Sequence, residues 1–265
     1  MMYLWKEWKE QSRAKGMWLC LSMVVLSSIF ILIESISLPV AQGFRVFLLS
    51  LYDMNLFILP LLSLYICSFS IMQEKEQKTL LILLSKRESY RKFIYRKTLA
   101  IQGVTVSLFI GWYFILMILV KFFFPFDASA FLVFLVTSLV LLLIFNQLGV
   151  LLGSICKTRM QLIGANIFTW FTIVFILDLV YLYLLPSVNG SNVKTFSTFY
   201  FLDPIHTLHF YLETGLELFP LDHLSRLMAK MIWLKPIQFL SVDLIVWLLI
   251  SLELGIWFHS KGERS

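Results

Sequence analysis

An all-α membrane protein with six spanning helices is the fold class predicted for this 265-residue chain, and three observations predict it. Hydrophobic residues make up 59% and charged residues 14%, against about 45–50% and 25% in soluble domains. Mean hydropathy is +0.84. The 38 charges cluster between six long apolar runs. This composition excludes a soluble globular enzyme, a disordered chain and a nucleic-acid-binding domain.

A spanning helix needs about 20 mostly apolar residues to cross roughly 30 Å. The runs that qualify are Met17 to Ile33, Met54 to Gln73, Thr98 to Val120, Ala128 to Cys156, Met160 to Pro186 and Pro236 to Ser260. Sixteen polar-rich residues precede the first run and no small-x-small cleavage site follows it, so it reads as a span and not as a cleavable signal peptide. No internal repeat is visible, and residues 1–265 read as a single transmembrane domain. Cys20, Cys67 and Cys156 sit in apolar stretches without metal-ligand spacing, as small packing residues do.

Basic residues set the orientation. The N-terminal tail, the loop after span two, the loop after span four and the C-terminal tail together hold 16 Lys and Arg, and the opposite side holds 6. That alternation predicts a multi-pass protein of the cell membrane with both termini cytoplasmic. The net charge of +6 is then an insertion signal, with attraction to anionic headgroups as a second role.

The cytoplasmic stretch Glu74 to Lys97 carries 11 charges in 24 residues, yet Leu80 to Leu84 are five consecutive aliphatic residues. Two readings stand. It lies on the membrane as an interfacial helix, or it docks into a cytoplasmic partner. The 186–235 stretch is the sizeable external segment. Its aromatics, from Phe196 to Tyr211, suit a surface or re-entrant helix. Asn189-Gly190 marks a turn.

Three carboxylates fall inside spans, where a charge at the helix centre costs about 2.5–3.5 kcal/mol on insertion scales. Asp178 and Asp243 lie toward the outer ends of spans five and six, and Glu253 lies toward the inner end of span six. The two aspartates are interfacial carboxylates capped by Tyr181 or Lys235, or they line a substrate path; Glu253, deeper on the cytoplasmic side, faces the larger insertion cost and is the third candidate for that path. Gly149-x-x-x-Gly153 permits close helix approach within the subunit, and Asn146 and Gln147 beside it are placed to hydrogen-bond between helices. His206 and His209 stand one helical turn apart, near Asp203, Glu213 and His223. That spacing suits two metal-ligating imidazoles, but solvated side chains on a polar helix are the simpler reading, so no metal site is assigned and stability is expected to rest on span contacts.

The order Glu74-x-Glu76-x-x-Thr79-Leu80-x-x-Leu83-Leu84-Ser85, with Arg91 and then Lys97 at the mouth of the next span, resembles the signature of ABC-2-type transporter permeases. Arg87 stands where that family usually has Pro. Residues 1–16, with Trp5-Lys6-Glu7 through Arg13, resemble the family's amphipathic N-terminal helix. Within the family, Trp170-Phe171, Val174, Asp178-Leu179-Val180 and Leu202-Asp203-Pro204 resemble the NosY type, the permease linked to maturation of the copper sites of nitrous oxide reductase, although that type usually has Asn-Pro at 203–204.

The resemblance implies a permease subunit, a homodimer in the bilayer, coupled to a separate ATP-binding subunit. It places the coupling contact on Glu74, Glu76, Thr79, Leu80, Leu83, Leu84, Arg91 and Lys97. The chain has no phosphate loop of the form G-x-x-x-x-G-K-[ST]. No catalytic residue and no cofactor is therefore assigned to it, and ATP belongs to the partner. An exporter of lipid, peptide or drug is the alternative within transport. A membrane enzyme is a rival for which no nucleophile or metal constellation is seen. A membrane anchor for an external accessory protein is the alternative outside transport.

Overall fold

A computed structural model describes residues 5, 8–10, 15–36, 40–77, 90–219 and 226–262. Among them every regular element is helical. Six helical stretches are long and apolar enough to cross a membrane.

The first span is α1 (Lys15–Ser35). The second, α2 (Val40–Glu76), has 37 residues and begins 14 residues before its uncharged run. At 1.5 Å per residue it is about 55 Å long, so it overshoots the apolar layer at both ends. Arg45 and Asp53, which interrupt the apolar run, do not interrupt the helix, because charged side chains are compatible with helical backbone. Pro60 lies inside α2 and offers no N–H to the Leu56 carbonyl. Next to it, the Phe57 carbonyl accepts the Trp170 indole N–H at 3.0 Å.

The third span, α3 (Tyr90–Val120), also starts early, eight residues before its uncharged run. The described parts of the 74–97 stretch are thus extensions of α2 and α3. Phe93 and Ile94 are not a membrane-facing stripe: both are buried, clustered with Cys67, Ile71, Ile101 and Val150. The span α4 (Ala128–Ile155) opens on Asp127, whose Oδ1 accepts the backbone N–H of Ser129 at 3.0 Å, an N-cap that satisfies a helix-end donor.

Span five is interrupted. It runs as α5 (Arg159–Phe171), a π turn over Thr172–Ile176, and α6 (Leu177–Leu184). The stretch expected outside folds into three short helices, α7 (Val193–Tyr200), α8 (Pro204–Gly215) and α9 (Arg226–Met231). The last span is α10 (Pro236–Gly262).

Two helices form the centre. In the most apolar window of α2, 67% of residues are buried, and in that of α4, 61%. They meet at the glycine pair. A Cβ on Gly149 would stand 2.9 Å from the Leu64 carbonyl oxygen, and one on Gly153 would stand 2.7 Å from that of Ser68. Both are closer than any side chain allows, so the two backbones touch only because both positions are glycine. Span five lies at the edge, with 11% of its window buried. Its exposed side chains are apolar, among them Phe168, Leu179, Leu182 and Tyr183, which suits a lipid-facing surface.

Candidate functional sites

Three ion pairs and two lysine–carbonyl hydrogen bonds gather at the end where α2 stops and α3 starts. Lys97 Nζ meets Glu74 Oε1 at 3.1 Å, with side chains 1% and 5% exposed. Lys75 Nζ donates to the carbonyls of Ser154 at 2.6 Å and Cys156 at 3.1 Å, so a cation closes the C-terminus of α4, where the helix dipole favours it. Arg159 forks onto Glu76, with Nε donating to Oε1 at 2.6 Å and Nη2 donating to Oε2. Arg91 Nη2 meets Glu253 Oε1 at 2.5 Å. The last turn of α2 is thereby bound to α3, α4 and α5, and α3 to α10.

Several residues picked out in the sequence acquire definite partners. Glu74 and Lys97 pair with each other. Glu76 serves the α4–α5 elbow through Arg159, so its charge is already engaged within the subunit. Arg91 pairs with Glu253, whose side chain is 57% exposed. Thr79, Leu80, Leu83 and Leu84 lie outside the described residues, as does most of the 1–16 segment.

A polar seam runs between the central helices. Asn146 Nδ2 donates to Thr105 Oγ1 at 2.7 Å, and Cys67 Sγ donates to Asn146 Oδ1 at 3.1 Å. Gln102 Nε2 donates to Gln147 Oε1 at 3.3 Å, and Asn166 Nδ2 to Ser68 Oγ at 2.8 Å. These bonds tie α2, α3, α4 and α5 together in an apolar medium, where an unpartnered amide would be costly.

The opposite end holds a cavity of about 480 Å³ between α2, span five, and α7 to α9. Its floor is α8, which is no surface helix: Ile205, Leu208 and Leu212 are buried in the central core. Asp203 caps α8, its Oδ1 accepting the Ile205 N–H at 3.1 Å. His206 lies between two carboxylates, with Nδ1 2.9 Å from Asp203 Oδ2 and Nε2 3.3 Å from Asp178 Oδ1. His209 likewise has Nε2 3.2 Å from Asp53 Oδ1 and Nδ1 3.6 Å from Glu213 Oε1. Hydrogen bonds to Asp53 and then Glu213 raise the His209 pKa to about 9. Burial, with the nearby charges of Asp178, Asp203 and Glu213, pushes the Tyr200 phenol to about 12.

The expectation of solvated histidines is therefore corrected: both imidazoles are held in carboxylate networks. Among the described residues no group of three or more His, Cys, Asp or Glu is arranged to hold a metal ion. His223 falls outside the described residues. Asp178 lines the cavity beside His206. Asp243, on α10, is 1% exposed, and neither of its oxygens meets a donor in hydrogen-bonding geometry. One turn on, the Trp247 indole gives its N–H to the Leu202 carbonyl at 2.9 Å. Tyr181 donates to the Phe199 carbonyl at 2.8 Å and caps neither aspartate.

Sequence reasoning did not single out Asp53 or the Thr172–Ile176 π turn, whose Val174 lines the cavity. Asp53 stands alone in a near-apolar stretch, a signal that could have been followed. The π turn leaves no comparable mark.

The six spans, the engaged ends of α2 and α3 and the mouth cavity describe a membrane component built around a central helix pair. The sequence profile of the ABC-2 family transporter proteins matches residues 1–263. The chain belongs to the ABC-2 family. No curated protein matches it closely enough to add a nearer relative. As an ABC-2 protein it is a multi-pass membrane permease subunit of an ABC transporter, and that family membership implies a separate ATP-binding subunit as partner.

Proposed function

We propose that this ABC-2 permease couples ATP hydrolysis on its partner to transport, with the partner docking on residues 78–89. Both termini and this segment face the cytoplasm, the subunit works as a homodimer in the cell membrane, and substrate is met at the far-end cavity. The observation that carries the reading is the set of ion pairs at the base of α2 and α3. A push on the segment between these helices reaches α4, α5 and α10 through Glu74, Lys75, Glu76 and Arg91.

Because Glu76 is engaged by Arg159, a change there disturbs the subunit's own base as well as any interface. The informative variant is Leu83→Asp, which puts a charge into the apolar run Leu80 to Leu84. Burying an unpaired carboxylate in a docking groove opposes association, and a loss of about 1.4 kcal/mol weakens assembly tenfold. Leu83→Asp is expected to insert at the wild-type level and to lose the ATP-binding subunit on co-purification. Retained co-purification returns the segment to the surface-helix reading.

A second reading is maturation of an external copper protein, as the NosY-type resemblance suggests. His206, His209, Met228 and Met231 favour it by lining one cavity with imidazole and thioether groups. Both nitrogens of each imidazole already face carboxylates, so transport of an amphipathic molecule is the reading we adopt.

A further inference from the structure

We propose that the far-end cavity binds an amphipathic organic cation, a quaternary ammonium or phosphonium group carrying an apolar body. That this ligand is a transported substrate rests on the permease reading above; that it binds does not.

The volume of about 480 Å³ lies in the range of small-molecule sites, about 300–1,000 Å³. Much of the wall is apolar: Phe57, Val174, Phe210, Met228 and Ile232 contribute to it. Polar groups converge at one side. Asp53, Asp178 and Glu213 line the cavity, and among the described lining residues there is no Lys or Arg. His206 and His209 are the lining groups able to carry positive charge. If both are protonated, three lining carboxylates still exceed them by one, and buried Asp203 beside His206 adds another negative charge. The excess therefore keeps its sign in either protonation state of the imidazoles.

An anion entering this space meets like charge. A neutral body covers the carboxylates and strips their water without supplying a partner, which is unfavourable. A cation gains the carboxylates, with the aromatic side chains of Phe57 and Tyr200 also in the lining. Asp178 is the group best placed to receive it: its side chain is 66% exposed and stands at the cavity wall on α6. Methionine side chains, flexible and polarizable, suit an apolar body of variable shape.

The test uses the full chain, purified in lipid nanodiscs, with tetraphenylphosphonium as probe and empty nanodiscs subtracted. Tetraphenylborate, alike in shape and opposite in charge, is titrated in a separate sample, because the two ions form an insoluble pair when mixed. Saturable binding of tetraphenylphosphonium is expected, tighter than that of tetraphenylborate. Asp178→Asn is expected to weaken it about tenfold, as loss of one charge-assisted contact does. Met228→Trp, which fills the cavity and keeps every carboxylate, is expected to weaken it as well. Thermal melting reports whether each variant is folded, and either one suffices if the other is not. Tetraphenylphosphonium binding unchanged in a folded variant, or tetraphenylborate binding as tight as that of tetraphenylphosphonium, overturns the proposal. If cation binding fails while the ATP-binding subunit still co-purifies, the permease reading stands with a different ligand. If the cation binds and no such subunit co-purifies, the coupling reading fails instead.

Discussion

Lys97 illustrates what the membrane environment does to a single charged residue. It is 1% exposed and pairs with Glu74 at 3.1 Å. Removing one member of a buried pair leaves the other uncompensated, at about 3–5 kcal/mol, whereas replacing both is often tolerated. Lys97→Met is therefore expected to lower stability in detergent by about 3–5 kcal/mol, and Glu74→Gln with Lys97→Met by less than Lys97→Met alone, read from denaturation midpoints. His209 gives a pH dependence. Its folded pKa of about 9 lies above the ordinary 6.5. Its contribution is thus fully present below about pH 6.5 and is lost as pH rises through about 9. Melting temperature should fall across that window in the wild type, and less so in His209→Gln. The His209 pairing is not visible in the sequence, because Asp53 and His209 are 156 positions apart.

At the scale of elements, hydrophobicity located the spans but misjudged their lengths. Uncharged runs mark where a helix is surrounded by lipid, and helices continue past that boundary wherever charged side chains find partners. Arg45 does so at the far end, meeting Glu217 at 2.6 Å and Asp127 at 3.5 Å. At the opposite end Glu74, Glu76, Arg91 and Lys97 do the same. The Gly149–Gly153 pair was legible as a packing motif, though not its partner, which is the Leu64–Ser68 turn of α2. The atoms a side chain would strike there are backbone atoms and the Cβ atoms of Cys67 and Ile71, none of which can swing away. Gly153→Leu is expected to destabilise the α2–α4 contact by about 1–3 kcal/mol. Gly164→Leu, where a Cβ meets nothing within 4 Å, should leave the melting temperature near that of the wild type. The π turn in span five was not legible, since no Pro, Gly or charge marks Thr172–Ile176. Such turns often occur at functional sites, and this one contributes Val174 to the cavity wall.

For the whole molecule, composition and charge distribution carried the fold class, and family membership carried the permease assignment. The cavity lay beyond both, because it is assembled from side chains of α2, span five, and α7 to α9. The 16-to-6 division of basic residues predicts that reporter fusions at residues 1 and 265 both read as cytoplasmic; an external readout at residue 1 would put the 78–89 segment, two spans on, out of reach of a cytoplasmic ATPase. The central claim is that this chain is one half of an ATP-driven machine. It is tested most directly by purifying the tagged chain from its native membrane in mild detergent, then measuring the mass and ATPase activity of what elutes. An assembly containing the permease and a distinct ATP-binding subunit is expected, with ATP hydrolysis that is lost when Leu83 is replaced by Asp. A chain that elutes without any ATP-binding protein, at full yield and correctly inserted, would contradict it.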